Sequence, residues 1–138
     1  MQKIVVAYDG SEHADRALER AMSLAGDGSE LIIVSSARLA TLTHDPNLGT
    51  SAVDPIEAEW ARGNLAKADG LLKAKGVSAR AVEAHGDPAD SVVRVANEEA
   101  ADLIVIGTRG LNVAQRALMG SVSTKVVHQA GCDVLVVR

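Results

Sequence analysis

The chain has 138 residues, 47% hydrophobic and 23% charged, the balance of one soluble domain around a single core, so disorder is excluded and 1–138 reads as one domain. Its 14 Lys and Arg against 18 Asp and Glu leave a formal charge of −4, and no apolar run nears membrane-span length, so neither nucleic acid nor membrane is an expected partner. A lone cysteine, Cys132, rules out an internal disulfide and fits the reducing cytoplasm, and with Tyr8 and Trp60 as the only aromatic residues the core must be aliphatic.

Residues 3–8 (KIVVAY) read as the first strand, followed by no cleavage site of a secretory signal. Residues 12–25 form a helix with Ala14, Ala17, Leu18, Ala21, Met22 and Ala25 on one stripe, Ser11 as N-cap and Gly26 as its stop. A second strand spans 31–35 (LIIVS). Residues 38–54 (RLATLTHDPNLGTSAVD) are irregular and too long for an idle connection. The next helix, 56–75, is anchored by Trp60, Leu65, Leu71 and Leu72, with Trp60 packed against the sheet, and it ends before Gly76. Residues 77–83 (VSARAVE) alternate apolar and polar positions, the mark of an edge strand. Asp87 and Pro88 open a helix over 88–99; a strand follows at 102–106 (DLIVI), helical pattern resumes over 113–130, and the last strand is 133–137 (DVLVV).

Strands and helices alternate as βαβαβαβαβ, and four of the five strands are near-continuous aliphatic runs. That pattern demands a parallel sheet buried on both faces, an α/β fold of three layers, α/β/α. Ligands of such sheets bind beyond the carboxyl ends of the strands, where strand order reverses. After the fourth strand the chain carries Gly107, Gly110, Gly120 and Ser121 in the spacing G-x2-G-x9-G-S. Gly107 and Gly110 remove Cβ atoms where the chain leaves a buried strand, which lets backbone N–H groups approach an anion and permits positive φ. Gly120 and Ser121 form a second cradle at a helix N-terminus, with hydroxyls from Ser121, Ser123 and Thr124. This requires a break near Met119, so that 121–130 is a helix of its own. Arg109, between the first two glycines, has the reach to touch a phosphate. No P-loop and no dinucleotide fingerprint is present. His13, His44, His85 and His128 show no metal-ligand spacing, so no metal site is assigned to them.

The segments VVAYDGSEHADRAL, HGDPADSVVRVA, ADLIVIGTRG and MGSVSTKVVHQAGCDVLVVR together resemble the universal stress protein family over essentially the whole chain. The glycine spacing resembles that of its ATP-binding members. The resemblance implies a single-domain Rossmann-like fold of the adenine nucleotide alpha hydrolase type, with a five-stranded parallel sheet in the order 3-2-1-4-5. It further implies that Asp9, after Ala7 and Tyr8, meets the adenosine end of ATP, with Ser36 beside the adenine. Ile106 through Gly110, including Gly107 and Arg109, would wrap ribose and phosphates; Gly120, Ser121, Val122 and Ser123 would hold the phosphate tail. Ala7 stands where some members carry proline. A homodimer paired through residues 133–137 is implied as well, as is a regulatory role in stress.

Read locally, Asp9 also fits a plain Asp-Gly turn, and Gly107 and Gly110 fit a tight strand exit. Mg²⁺ accompanying ATP could contact Asp9 or Ser121. No His or carboxylate lies inside the glycine segment to activate water, so hydrolysis is expected to be slow or absent. Residues 38–54 are expected to cover the adenine. The competing readings are an ATP-cleaving or adenylyl-transferring enzyme on the same layout, and a dimeric scaffold without ligand.

Overall fold

A computed structural model describes residues 2–41, 51–108 and 119–138. Its elements in chain order are β1 (Lys3–Ala7), α1 (Glu12–Leu24), β2 (Glu30–Ala37), β3 (Leu39–Thr41), β4 (Ser51–Val53), α2 (Pro55–Ala74), β5 (Arg80–His85), α3 (Pro88–Glu98), β6 (Leu103–Gly107), α4 (Ser121–Gln129) and β7 (Asp133–Val137). Five strands form one parallel sheet in the order β5-β2-β1-β6-β7, the expected 3-2-1-4-5 once the short β3 and β4 are counted in the numbering.

The aliphatic runs explain the centre of that sheet. Ile4, Val5 and Val6 of β1 are all fully buried, because successive side chains point to opposite faces and both faces are covered. Val5 lies in register with Ile32 and Ile104, and Ile104 with Val134, a row that packs with Val92, Val95 and Val126 of α3 and α4. Ile4, Val6, Leu31 and Ile33 face the other way, into Ala17, Leu18, Ala68 and Leu72 of α1 and α2. Each fully buried Val, Ile or Leu contributes about 1.5–3 kcal/mol relative to exposure.

Local chemistry sets the helix ends. The Ser11 Oγ accepts the Ala14 N–H at 3.1 Å, Asp54 caps α2 through the Ile56 N–H at 2.9 Å, and Asp87 caps α3 through the Asp90 N–H at 3.0 Å. α2 closes with Gly76 at φ +67 and the Val77 N–H bonded to the Leu72 carbonyl, a Schellman ending.

Several expectations need correction. Gly26 does not stop α1: Ala25 leaves the helix in an extended conformation, and the positive φ falls on Gly28, inside a turn closed by the Ser29 N–H on the Gly26 carbonyl. Trp60 and Leu71 do not anchor α2. They are 39% and 36% exposed, eleven residues apart on one outward stripe, while Ala58, Ala61, Asn64, Ala68 and Leu72 turn inward. Leu72 and Leu65 do pack against the core as expected, while the small side chains of the inward stripe let this helix approach the sheet closely. The edge strand lies where the alternation put it, but at 80–85 rather than 77–83, since Gly76 and Val77 are used to close α2. Finally, the ends of the 38–54 stretch pair as an antiparallel ribbon, Leu39 opposite Val53 and Thr41 opposite Ser51; residues 42–50 lie outside the described residues, as does the 113–118 part of the expected last helix. Met119 and Gly120 are not helical, and α4 starts at Ser121.

Candidate functional site

The chain runs from β1 outward to β2 and β5, then returns to lay β6 and β7 on the other side of β1. In a doubly wound sheet such a reversal is where a crevice opens beyond the carboxyl ends of the two strands, here β1 and β6, the standard ligand position. On the β1 side of it stand Ala7, Tyr8, Asp9 and Gly10. Tyr8 extends the ladder through its N–H to the Val34 carbonyl at 2.8 Å, while its buried phenol donates to Asp15 Oδ1 of α1. Burial, and then the Asp15 carboxylate, raise the phenol's pKa well above the ordinary value of 10.0. Asp9 is half-buried and accepts the Ser11 N–H on Oδ1 at 3.0 Å. Gly10, at φ +80, completes the turn into α1.

On the β6 side, Gly107 packs directly on the first turn of α1. A Cβ built there would lie 2.8 Å from the backbone of His13. The sequence reading attributes this glycine partly to positive φ; the observed reason is space, since Gly107 is not among the positive-φ residues.

Thr108, the next residue, joins four elements. Its N–H donates to the Val137 carbonyl at 2.8 Å, its carbonyl accepts the Gly120 N–H and the Ser123 hydroxyl, the latter at 3.0 Å, and its Oγ1 lies 3.0 Å from His13 Nδ1. Thr108 thus fastens the start of α4 to the end of β6 and to the start of α1. Sequence reasoning missed both members of the His13–Thr108 pair, 95 positions apart. It did name the glycines on either side of Thr108.

α4 differs from the other three helices at its start. α1, α2 and α3 each have a side-chain cap, whereas α4 opens on Gly120 at φ −65 and ψ 162 with no side-chain cap bond and no acidic residue in its first turn. Its first-turn N–H groups are therefore donors to whatever occupies the crevice. Ser121 is exposed, Val122 is half-buried against the α3/α4 side of the core, and Ser123 is buried with its hydroxyl bonded back to Thr108 and Gly120. Next to this turn, Lys125 pairs with Asp87 and Asp90 at 3.1 Å each. Asp87 is held below the usual carboxylate range, first by the Asp90 N–H and then by Lys125.

The remaining expected residues spread along the same edge. Ile106 is buried, Ala7 is half-buried against the same side of the core, and Ser36 is half-buried at the end of β2. Arg109 and Gly110 lie outside the described residues. Among those described, no group of three or more His, Cys, Asp or Glu side chains is placed to hold a metal ion, and no helix is long and apolar enough to cross a membrane.

A family model described as the universal stress protein family matches residues 1–138. The universal stress protein YxiE of Bacillus subtilis is 35% identical over 146 residues, covering 99% of this chain and 98% of the relative. Universal stress protein Rv1636 of Mycobacterium tuberculosis is 35% identical over 145 residues, covering 98% and 94%. Among solved structures, a universal stress protein in complex with cAMP is similar with a TM-score of 0.74 at 28% identity, covering 99% of this chain and 97% of that one.

Proposed function

Because the chain belongs to the universal stress protein family over residues 1–138, we propose that it binds an adenine nucleotide, ATP foremost, in the crevice between β1 and β6 and acts as a nucleotide-dependent regulatory protein. The observation that carries this reading is the uncapped first turn of α4, drawn up to the crevice by the bonds of Gly120 and Ser123 to Thr108. A complex of a related protein with cAMP supports the same ligand class.

In this reading Asp9 meets the ribose or base, with Ala7, Tyr8 and Ser36 lining the adenosine end through backbone and packing. Ile106, Gly107, Arg109 and Gly110 wrap the sugar and phosphates, and Gly120, Ser121, Val122 and Ser123 supply the phosphate cradle. Each N–H bond to a charged oxygen contributes about 1.5–3 kcal/mol, so three or four suffice for micromolar affinity after ordering costs. Mg²⁺, which keeps much of its water and is held largely by substrate phosphates, would take the Asp9 carboxylate or the exposed Ser121 hydroxyl as its protein contact. It would neutralise phosphate charge on this acidic chain.

The same reading has the protein act in the cytoplasm as a homodimer. β7 closes one side of the sheet, and four of its residues, Val134 to Val137, are only half-buried, an apolar edge suited to pairing with a second copy. Slow ATP cleavage is the second reading, favoured by one observation: the His13 imidazole stands beside Thr108 at the crevice.

Isothermal titration with Mg·ATP is expected to give a micromolar dissociation constant. Absence of binding at millimolar ATP would overturn the proposal. Appreciable ADP release that disappears in His13→Ala would favour the enzyme.

A further inference from the structure

Asp9 sits in a turn that α2, a helix none of the expected ligand contacts involve, grips from outside. The Lys67 ammonium donates to the Gly10 carbonyl at 2.9 Å and to Asp15 Oδ2 at 3.1 Å. Asp15 takes the Tyr8 phenol on its other oxygen, so one carboxylate ties the end of β1 to α1 and α2 at once. One turn earlier on α2, the buried Asn64 amide donates to the Ser35 hydroxyl at 3.2 Å. Its Oδ1 lies 2.6 Å from where a Gly10 Cβ would stand, which together with φ +80 favours glycine at this turn.

We infer that Lys67 is a positioning residue for nucleotide recognition. It holds the Gly10 carbonyl, which fixes the φ +80 turn and so the direction of the preceding Asp9 carboxylate. Asn64, bonded to Ser35 near the end of β2, packs against the same turn at Gly10. Lys67 itself touches no ligand in this account, and the inference rests on the nucleotide reading above. Lys67 is 48% exposed and Asp15 31%, so the ammonium is a modest contributor to folding stability. Its loss is felt where one carboxylate must point one way.

The consequence is selective. Tripolyphosphate engages only the phosphate-binding residues after β6 and at the α4 cradle, whereas ATP needs Asp9 as well. Titrations of the wild type, Lys67→Met and Lys67→Arg with Mg·ATP and with tripolyphosphate test this. Lys67→Met is expected to weaken ATP about tenfold, the scale of one lost charge-assisted bond, with tripolyphosphate affinity unchanged. Lys67→Arg, which keeps a cationic donor, is expected to recover most of the ATP affinity. Wild type that binds ATP alongside a Lys67→Met variant that binds it equally well would overturn the positioning role alone. Equal weakening of both ligands would overturn it too, since that is general damage. Wild type that fails to bind ATP would overturn the nucleotide reading beneath it.

Discussion

Gly107 and Gly120 are both glycine for reasons that φ does not express. At Gly107 the constraint is the His13 backbone, 2.8 Å from any added Cβ, and backbone cannot swing aside as a side chain can. Gly107→Ala is therefore expected to destabilise the fold by about 1–3 kcal/mol, the usual cost of overpacking, as read by denaturant unfolding; unchanged stability would mean α1 gives way freely. Gly120 is the opposite case. Its φ −65 and ψ 162 are open to any residue, so Gly120→Val is expected to fold normally while its branched side chain fills the cradle and abolishes ATP binding in titration. Retained affinity would move the phosphates elsewhere. The spacing of these glycines was legible in the chain, as were the Ser11 and Asp87 caps, because each is a local signal. His13 against Thr108 was not, because only the folded sheet brings the two together.

Between elements, the bond from Tyr8 on β1 to Asp15 on α1 has a pH signature. The phenol ionises above its ordinary 10.0 in the folded chain, so the native state keeps a proton that the unfolded chain loses. Its contribution to stability is complete below pH 10.0 and shrinks as pH rises beyond it. Lys73 and Lys125 are shifted upward as well, each chiefly by a hydrogen-bonded aspartate, and weaken the fold in the same alkaline range. The difference between wild type and Tyr8→Phe isolates the phenol. Denaturant titrations stepped upward from about pH 9 are expected to show a shallower alkaline decline in the variant; matching slopes would remove Tyr8 from the linkage. α2 shows why apolar residues alone mislead. Trp60 and Leu71 read as anchors because they are large, yet the inward stripe is mostly alanine, chosen for close approach to the sheet. The 38–54 stretch read as irregular because a three-residue strand carries too few positions to display a period.

At the scale of the molecule, the strand order followed from the repeated β-to-α alternation and the aliphatic runs, and the crevice followed from the strand order. The hydrogen bonds that converge on it did not, because they join residues from opposite ends of the chain. A nucleotide bound as proposed contacts the β1 turn and the start of α4 together, and the native state alone has both in place. Binding therefore adds to global stability, by about 2.7 kcal/mol at a ligand concentration one hundred times the dissociation constant. The central claim, that the first turn of α4 holds the phosphates of a nucleotide whose other end meets Asp9, is tested most directly by following backbone amide resonances during a Mg·ATP titration. Ser121, Val122, Ser123 and Asp9 are predicted to shift together along one saturable curve, with tripolyphosphate moving the α4 amides and leaving Asp9 in place. Saturable shifts gathered elsewhere, with the amides of residues 121–123 unmoved, would contradict it.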